Sequence, residues 1–340
     1  MQTGQLVAPN ANQSNARTFN YTAIGASDAV GVGASSPCTT AAVVIGPDTE
    51  QMPSPPSCPG GTGYVPVIAR VLTSQTNTVN LTDLGISGAV IGPTERTLGN
   101  MWEPFLDPTC GHPAQPACIP GAFIADELPL IPSQQNTVTI FAGGNDTIAI
   151  FAHVAVACSA CTPQQIVAMV TNDIVNFGAD YSTLLTAVHS AFPFARIYVA
   201  NLPNLGLIPR GVCIGSDPAN PPPFCDPVND PAQNNPAAQL LLDQISVGID
   251  SGVINGPVFG SGIPVIDLEC TAALYDPANF SPDGFHPDDS GYALFAQKFA
   301  AAIRIFGASP PAGSCGAFSQ GGPRRPFNPR GLKRIKLARW

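Results

Sequence analysis

The sequence is poor in charge and in histidine. Only 11% of its 340 residues are Asp, Glu, Lys or Arg, and it holds four histidines and two tryptophans. No stretch approaches the ~20 uninterrupted apolar residues that a membrane-spanning helix requires, so no membrane span is predicted. Half of the fourteen basic residues lie in the last seventeen positions. The rest of the chain has seven basic against twenty-three acidic residues, a net charge of −16 that argues against nucleic acid as a partner.

The composition otherwise indicates a folded protein with long loops. Hydrophobic residues make up 44% of the chain, enough for a large core, while 33 glycines and 37 prolines indicate many turns. We predict one domain over residues 18–308, preceded by an N-terminal extension over 1–17. Two Pro-rich segments, near 34–66 and 204–236, are interpreted as loop insertions. Residues 309–340 form a Pro/Gly-rich, basic tail, either a simple extension or an arm that binds anionic surfaces.

The ten cysteines are even in number and several lie close together in the chain. Such spacing around Pro/Gly-rich loops is typical of disulfide-stapled proteins in an oxidising compartment, so we expect an exported protein. A CxxC pair at 158–161 lacks a second pair or two histidines nearby, so no zinc site is predicted. The local pairs, with two cysteines left over, are Cys38 and Cys58, Cys110 and Cys118, Cys158 and Cys161, Cys213 and Cys225, then Cys270 and Cys315.

Apolar, β-rich runs alternate with helical patterns along the chain. The predicted strands cover 18–27, 79–90, 136–146, 195–203 and 263–268. A helical pattern follows Thr162, an expected N-cap, and another runs over 290–307, with Ser290 as its expected cap and Gly307 as its end. The alternation predicts an α/β fold, a three-layer α/β/α sandwich around a central, mostly parallel five-stranded sheet. In such sheets, reactive groups gather at the carboxyl ends of the strands.

Three polar or glycine positions lie at the carboxyl ends of predicted strands. Ser27 ends the first strand, in "IGASDA", and Gly88 lies near the end of the second, in "GISGAV". Asn145 lies at the end of the third, in "AGGND", where two glycines let the backbone approach a ligand closely. Each has an ordinary structural interpretation as well: a helix cap, a strand-end glycine and a turn.

The last predicted strand is followed by "SPDGFHPDDSG", where one histidine stands among three aspartates. Asp283 precedes His286 by three residues, whereas Asp288 and Asp289 lie at the approach to a helix, where negative charge is favourable. The other three histidines lack such a context, and we expect them to be ordinary loop or helix residues: His112, His153 and His189.

Taken in order, the blocks "GASDA", "GISGA", "GGND" and "DGFHP" resemble those of the SGNH hydrolase family, the GDSL-type esterases and lipases. The resemblance covers roughly residues 18–306. In one departure, the first block of the family usually reads Gly-Asp-Ser-Leu, whereas here Ala26 precedes the serine and Asp28 follows it.

The resemblance implies a flavodoxin-like fold and hydrolysis of carboxylic esters through an acyl-enzyme on Ser27. His286 would be the base and Asp283 would orient it, while Ser27, Gly88 and Asn145 would form the oxyanion hole. It implies no metal and no organic cofactor. The expected substrate is a small-molecule, lipid or glycan ester. The protein is expected to be a monomer that is secreted or periplasmic. Alternatives within the family are a lysophospholipase or a glycan O-acetylesterase, and outside it a non-catalytic surface protein that binds lipid or glycan.

Overall fold

The structure is a computed structural model that describes residues 17–38, 58, 60–73, 77–105, 118–158, 160–217, 219–225 and 234–305. The predicted N-terminal extension lies outside the described residues apart from Arg17. So do the predicted basic tail and Gly307. Within the described part, no helix is both long enough and apolar enough to cross a membrane.

Five parallel strands form the centre of the protein, in the order β2-β1-β3-β4-β5. The all-parallel sheet confirms the predicted fold class. Because such a sheet is covered on both faces, β3 is buried at every position. The strands are β1 (Arg17–Gly25), β2 (Asn77–Asp83), β3 (Thr137–Phe141), β4 (Arg196–Ala200) and β5 (Val265–Ile266).

Eight α-helices and several short 3₁₀ or π segments lie among the described residues. Two helices, α2 and α8, pack on each other, and α3, α4, α5 and α7 form a second group. The helices are α1 (Ser27–Val30), α2 (Tyr64–Leu72), α3 (Pro93–Trp102), α4 (Gly144–Ala157), α5 (Pro163–Ala191), α6 (Pro209–Gly215), α7 (Pro236–Ile249) and α8 (Asp289–Ile305). A π segment covers Phe123–Glu127 and another Asp250–Val258.

The pairing of α2 with α8 rests on aromatic side chains. Tyr64 stacks on Phe299 with ring centroids 5.4 Å apart and lies 6.0 Å from Phe295. All three rings are buried, and burying rings of this size is among the larger contributions to a core. The helix α8 is thereby fixed beside α2, and it also contacts β4 and β5. It begins three residues after His286.

The strands are shorter than predicted, most clearly the second. β2 ends at Asp83, and the chain then leaves the sheet through Gly85 and Gly88. A Cβ on Gly85 would lie 2.8 Å from the Cβ of Ala29, so only glycine allows this close approach to α1. Gly88 has a φ of +81°. The loop, and not the strand, therefore carries the second predicted site residue.

Of the two predicted helix caps, one is confirmed and one is wrong. Thr162 caps α5 as predicted, with a reciprocal capping box to Gln165. The prediction of Ser290 as the cap of α8 is wrong, because Ser290 lies inside the helix. Asp288 accepts hydrogen bonds from the N–H groups of Ser290 and Gly291, at 2.8 and 3.0 Å. A carboxylate placed there also faces the positive end of the helix dipole.

Three of the expected cysteine pairs are disulfides: Cys38–Cys58, Cys158–Cys161 and Cys213–Cys225. Cys118 and Cys270 are also disulfide-bonded. Cys110, the expected partner of Cys118, lies outside the described residues, as does Cys315. None of the cysteines in the described ranges is a free thiol.

Candidate active site

Ser27 lies two residues after the end of β1, where the chain turns into α1. A Cβ on Gly25 would lie 2.8 Å from that of Ala29, so the turn is tight enough to require glycine at the strand end. Ser27 is the first residue of α1, and its backbone N–H therefore has no acceptor within the helix. The residue is 5% exposed, at the floor of a narrow cleft. The turn thus brings Ser27 into this cleft and leaves its backbone N–H without an acceptor in α1.

The structure brings three of the predicted site residues into one hydrogen-bonded chain. The Nε2 atom of His286 lies 2.9 Å from the Ser27 hydroxyl, although 259 positions separate the two residues. On the other side of the ring, Nδ1 lies 2.6 Å from the Asp283 carboxylate. This is the geometry in which an imidazole held by a carboxylate can remove the proton of a serine.

The turn at 281–286 fixes the carboxylate of Asp283. Its Oδ1 atom accepts hydrogen bonds from the N–H groups of Phe285 and His286, at 2.8 and 2.9 Å, and from the Ser281 hydroxyl, at 2.7 Å. Burial alone would raise the pKa of Asp283, but the hydrogen bonds from His286, Ser281 and Phe285 outweigh it and hold the pKa far below its usual range. The acid therefore stays ionised, with Oδ2 left for the imidazole.

Two opposing effects set the pKa of His286. Burial lowers it, while the hydrogen bond to Asp283 and the negative charges of Asp28 and Asp283 raise it. The raising effects are larger in sum, so the pKa lies above the ordinary value of 6.5. An imidazolium formed during catalysis would be stabilised by the same two carboxylates.

Asn145 lies in the first turn of α4 and lines the same cleft as Ser27. Its side-chain amide donates a hydrogen bond of 2.8 Å to the carbonyl of Ala89, which fixes the orientation of the amide. An amide NH₂ has two hydrogens, and one remains for a ligand. Gly88 directly precedes Ala89, so it belongs to the loop whose carbonyl accepts this hydrogen bond from Asn145. The roles of Asn145 and Gly88 as oxyanion donors stay predictions.

Three acidic residues near the site were not assigned to it from the sequence. Glu127 is fully buried and accepts a hydrogen bond of 3.1 Å from the N–H of Gly25, just before the serine turn. Asp146 accepts one of 2.9 Å from Ile91, in the loop after Gly88. Burial raises the pKa of Asp146 to about 7. Asp146 follows Asn145 in the quoted block, but nothing in the sequence around Glu127 indicates its role.

Asp28 is the third. It lines the cleft beside Ser27, and the Tyr292 hydroxyl lies 3.4 Å from its Oδ1 atom. The same hydroxyl donates a shorter bond of 2.6 Å to the carbonyl of Val32. Burial raises the pKa of Asp28, and the charge of His286 lowers it in part. Asp28, one of the two positions that depart from the usual block, is therefore close enough to the predicted base for each charge to influence the pKa of the other.

A second His–Asp pair lies outside the cleft. The Nδ1 atom of His153, on α4, is 2.7 Å from the carboxylate of Asp173, on α5, and the ring stacks on Trp102 at 5.4 Å. His189 lies in α5, and His112 is outside the described residues. In the described ranges, no cluster of three or more His, Cys, Asp or Glu side chains could hold a metal ion.

Fold and site together define a class: a doubly wound α/β protein with a Ser–His–Asp triad at the carboxyl ends of its strands. No protein-family model and no curated protein sequence matches the chain. Solved structures do resemble it. The extracellular lipase of Streptomyces rimosus is 17% identical with a TM-score of 0.46, and the similarity covers 84% of this chain and 99% of the lipase.

Two further solved structures are similar to the chain. Phospholipase A1 of Streptomyces albidoflavus is 15% identical, with a TM-score of 0.42 over 83% of this chain and 98% of that enzyme. The acetylxylan esterase Axe2 of Geobacillus stearothermophilus is 13% identical, with a TM-score of 0.40 over 88% and 99%. At such identities and TM-scores, the arguments about activity rest on the geometry of the site.

Proposed function

We propose that the protein is a secreted serine esterase that hydrolyses carboxylic esters through an acyl-enzyme on Ser27. The observation that carries the proposal is the chain of hydrogen bonds from Ser27 to His286 to Asp283, at 2.9 and 2.6 Å, with Asn145 in the same cleft. These residues come from three separate segments: Ser27 from the start of α1, Asn145 from the first turn of α4, and Asp283 with His286 from the turn before α8. A helix cap or a simple turn would not need this convergence.

In the proposed mechanism, Nε2 of His286 takes the proton of the Ser27 hydroxyl as its oxygen attacks the ester carbonyl. The carbonyl oxygen becomes an oxyanion, which accepts hydrogen bonds from the Asn145 amide and the backbone N–H groups of Ser27 and Gly88. When the tetrahedral intermediate collapses, His286 passes the proton to the departing alcohol, leaving an ester between the acyl group and Ser27.

The second half repeats these steps with water. His286 removes a proton from the water molecule, the resulting hydroxide attacks the acyl-enzyme, and the proton returns to Ser27 as the free acid leaves. Asp283 stays ionised throughout and holds the imidazole in the tautomer that has its acceptor nitrogen toward Ser27. The mechanism needs neither a metal nor an organic cofactor.

Export is part of the proposal and is supported by the disulfides. Cys38–Cys58 and Cys213–Cys225 close loops of 20 and 12 residues, and bridges of this kind persist in oxidising compartments. A lysophospholipase and a glycan O-acetylesterase use the same chemistry and differ in the alcohol part of the substrate.

The test is hydrolysis of a short chromogenic ester by the purified protein, with Ser27→Ala as the control. We expect turnover by the wild type and almost none by the variant. A wild-type protein that binds lipid or glycan but hydrolyses no ester would instead be a non-catalytic surface protein on this scaffold.

A further inference from the structure

Two neighbouring cavities share a wall at the candidate active site. We call the first the Ser27 cleft; it is lined by Ser27, Ala89 and Asn145 and has a free volume of about 20 Å³. The second, the apolar chamber, is lined by side chains such as Leu202, Leu274 and Phe280 and has about 40 Å³. A single water molecule needs a free volume of roughly 10–15 Å³, so the Ser27 cleft holds only one or two groups of that size.

The wall between the two spaces is formed by four residues that line both: Asp28, Phe141, Gly144 and Phe285. Phe285 has the largest side chain in this set that is not in a strand. It precedes His286 in the chain and packs edge-on against the imidazole, with ring centroids 5.0 Å apart. The ring is partly exposed, so it is not fixed by the core on every side.

The acyl part of an ester is the part that fits the cleft. The alcohol must leave past His286, which gives it a proton, and it has to reach solvent before water can enter. The acyl group stays attached to Ser27 through both halves of the reaction. The narrow space beside the nucleophile can therefore be occupied throughout only by the acyl chain.

We propose that the protein is selective for short acyl groups such as acetyl, and that Phe285 sets this limit by closing the Ser27 cleft from the apolar chamber. The proposal rests on the proposed esterase function and adds the acyl class to it. With the carbonyl at Ser27 and Asn145, the free volume of the cleft suits one methyl group. A longer chain would have to displace the Phe285 ring to reach the chamber behind it.

The experiment compares kcat/KM for the p-nitrophenyl esters of acetate, butyrate and octanoate, each below its solubility limit. We expect the wild-type protein to prefer acetate over octanoate by more than about tenfold. Phe285→Ala joins the two cavities, so the ratio of octanoate to acetate should rise by about tenfold or more. Each methylene that enters an apolar space contributes up to about fourfold, and three are enough for this change.

Phe280→Ala is the matched control, because Phe280 lines the apolar chamber but not the Ser27 cleft. It should leave the octanoate-to-acetate ratio near the wild-type value. A ratio between two substrates also cancels any general loss of turnover that Phe285→Ala causes through its contact with His286. If Phe285→Ala does not fold, as judged by circular dichroism, Phe285→Leu takes its place, with a smaller rise in the same ratio expected.

Three outcomes would overturn the proposal. A wild-type preference for octanoate would show that the cleft does not limit the acyl group. An unchanged ratio in the folded Phe285 variant would show that this ring is not the barrier. Both results leave the esterase function intact. If none of the three esters is hydrolysed in a Ser27-dependent way, the proposed function itself is overturned and, with it, this inference.

Discussion

The described residues include two His–Asp pairs of nearly equal length, and only one of the two lies beside a nucleophile. The pair His286–Asp283 spans 2.6 Å and lies at the carboxyl ends of the strands, 2.9 Å from the Ser27 hydroxyl. The pair His153–Asp173 spans 2.7 Å between two helices, beside Trp102. A short His–Asp hydrogen bond is therefore no sign of a catalytic site by itself. A His–Asp pair is identified as catalytic by a nucleophile beside the imidazole and by its position at the carboxyl ends of the strands.

The two carboxylates differ in burial as well. The side chain of Asp283 is 44% exposed and that of Asp173 only 4%. Hydrogen bonds keep the pKa of Asp283 low, whereas burial raises that of Asp173. The first pair is arranged to keep a charge available at the surface. The second connects two packed helices, and its contribution should be to stability.

The largest expected difference is in turnover. His286→Ala should reduce kcat by about 10⁴-fold or more, because the serine loses its base, and His153→Ala should leave it near the wild-type value. Adding Ser27→Ala to His286→Ala should cost little more, since the two residues act as a unit. Ester hydrolysis by the folded variants measures both. Strong loss in His153→Ala would show that the second pair takes part in the site.

The next effect concerns the asparagines near the two pairs. Asn145→Ala should reduce kcat by about 10²–10³-fold, the usual effect of losing one oxyanion donor, without unfolding the protein. Asn172 contacts Asp173 of the second pair, so Asn172→Ala is the control and should not change kcat. Equal kcat values for the wild type and Asn145→Ala would mean that Asn145 is only a turn residue.

In stability the order of the two pairs should reverse. His153→Ala removes the imidazole that is hydrogen-bonded to the buried Asp173 carboxyl and should lower the free energy of unfolding by about 1–3 kcal/mol. His286→Ala should lower the free energy of unfolding less. Asp283 keeps its hydrogen bonds from the Ser281 hydroxyl and from the backbone N–H groups of residues 285 and 286. Urea denaturation followed by circular dichroism compares the two. A larger loss in His286→Ala would contradict this assignment of roles.

The smallest expected effect is a shift in the pH dependence. Turnover should rise with pH as His286 loses its proton, with the midpoint above the ordinary imidazole value because Asp283 and Asp28 favour the charged form. Asp28→Asn removes one of these charges, so the acid limb should move to lower pH. Asp173→Asn, in the second pair, should leave the profile in place. If the acid limb of Asp28→Asn moved to higher pH, the charge of Asp28 would not be raising the pKa of His286.

Much of this site could be predicted from the sequence because its residues occur in short blocks at strand ends. Parallel strands bring those ends to one edge of the sheet, which places Ser27 near His286 despite the long separation in sequence. The fold could be predicted as well, because strands that alternate with helices along a chain are typical of a parallel sheet covered by helices. The cap Thr162 followed from local chemistry, since a threonine before Pro163 and three residues before Gln165 forms a capping box with few alternatives.

What could not be predicted depends on contacts between distant parts of the chain. Glu127 reaches the N–H of Gly25 from a π segment that has no sequence pattern of its own. The predicted cap of α8 was wrong because serine and aspartate are nearly equally favoured at N-cap positions. Only the path of the chain decides between Ser290 and Asp288. The contact between Asp28 and the Tyr292 hydroxyl likewise joins residues that are far apart in the chain.

Covalent labelling by a fluorophosphonate tests the central claim most directly, since such reagents react with a serine only when a base activates it. The account predicts one adduct per wild-type molecule, located on Ser27 by peptide mass spectrometry. Labelling should be absent in Ser27→Ala, greatly slowed in His286→Ala and unchanged in His153→Ala. An adduct on another residue, or equal labelling of the wild type and Ser27→Ala, would contradict the assignment of Ser27 as the nucleophile.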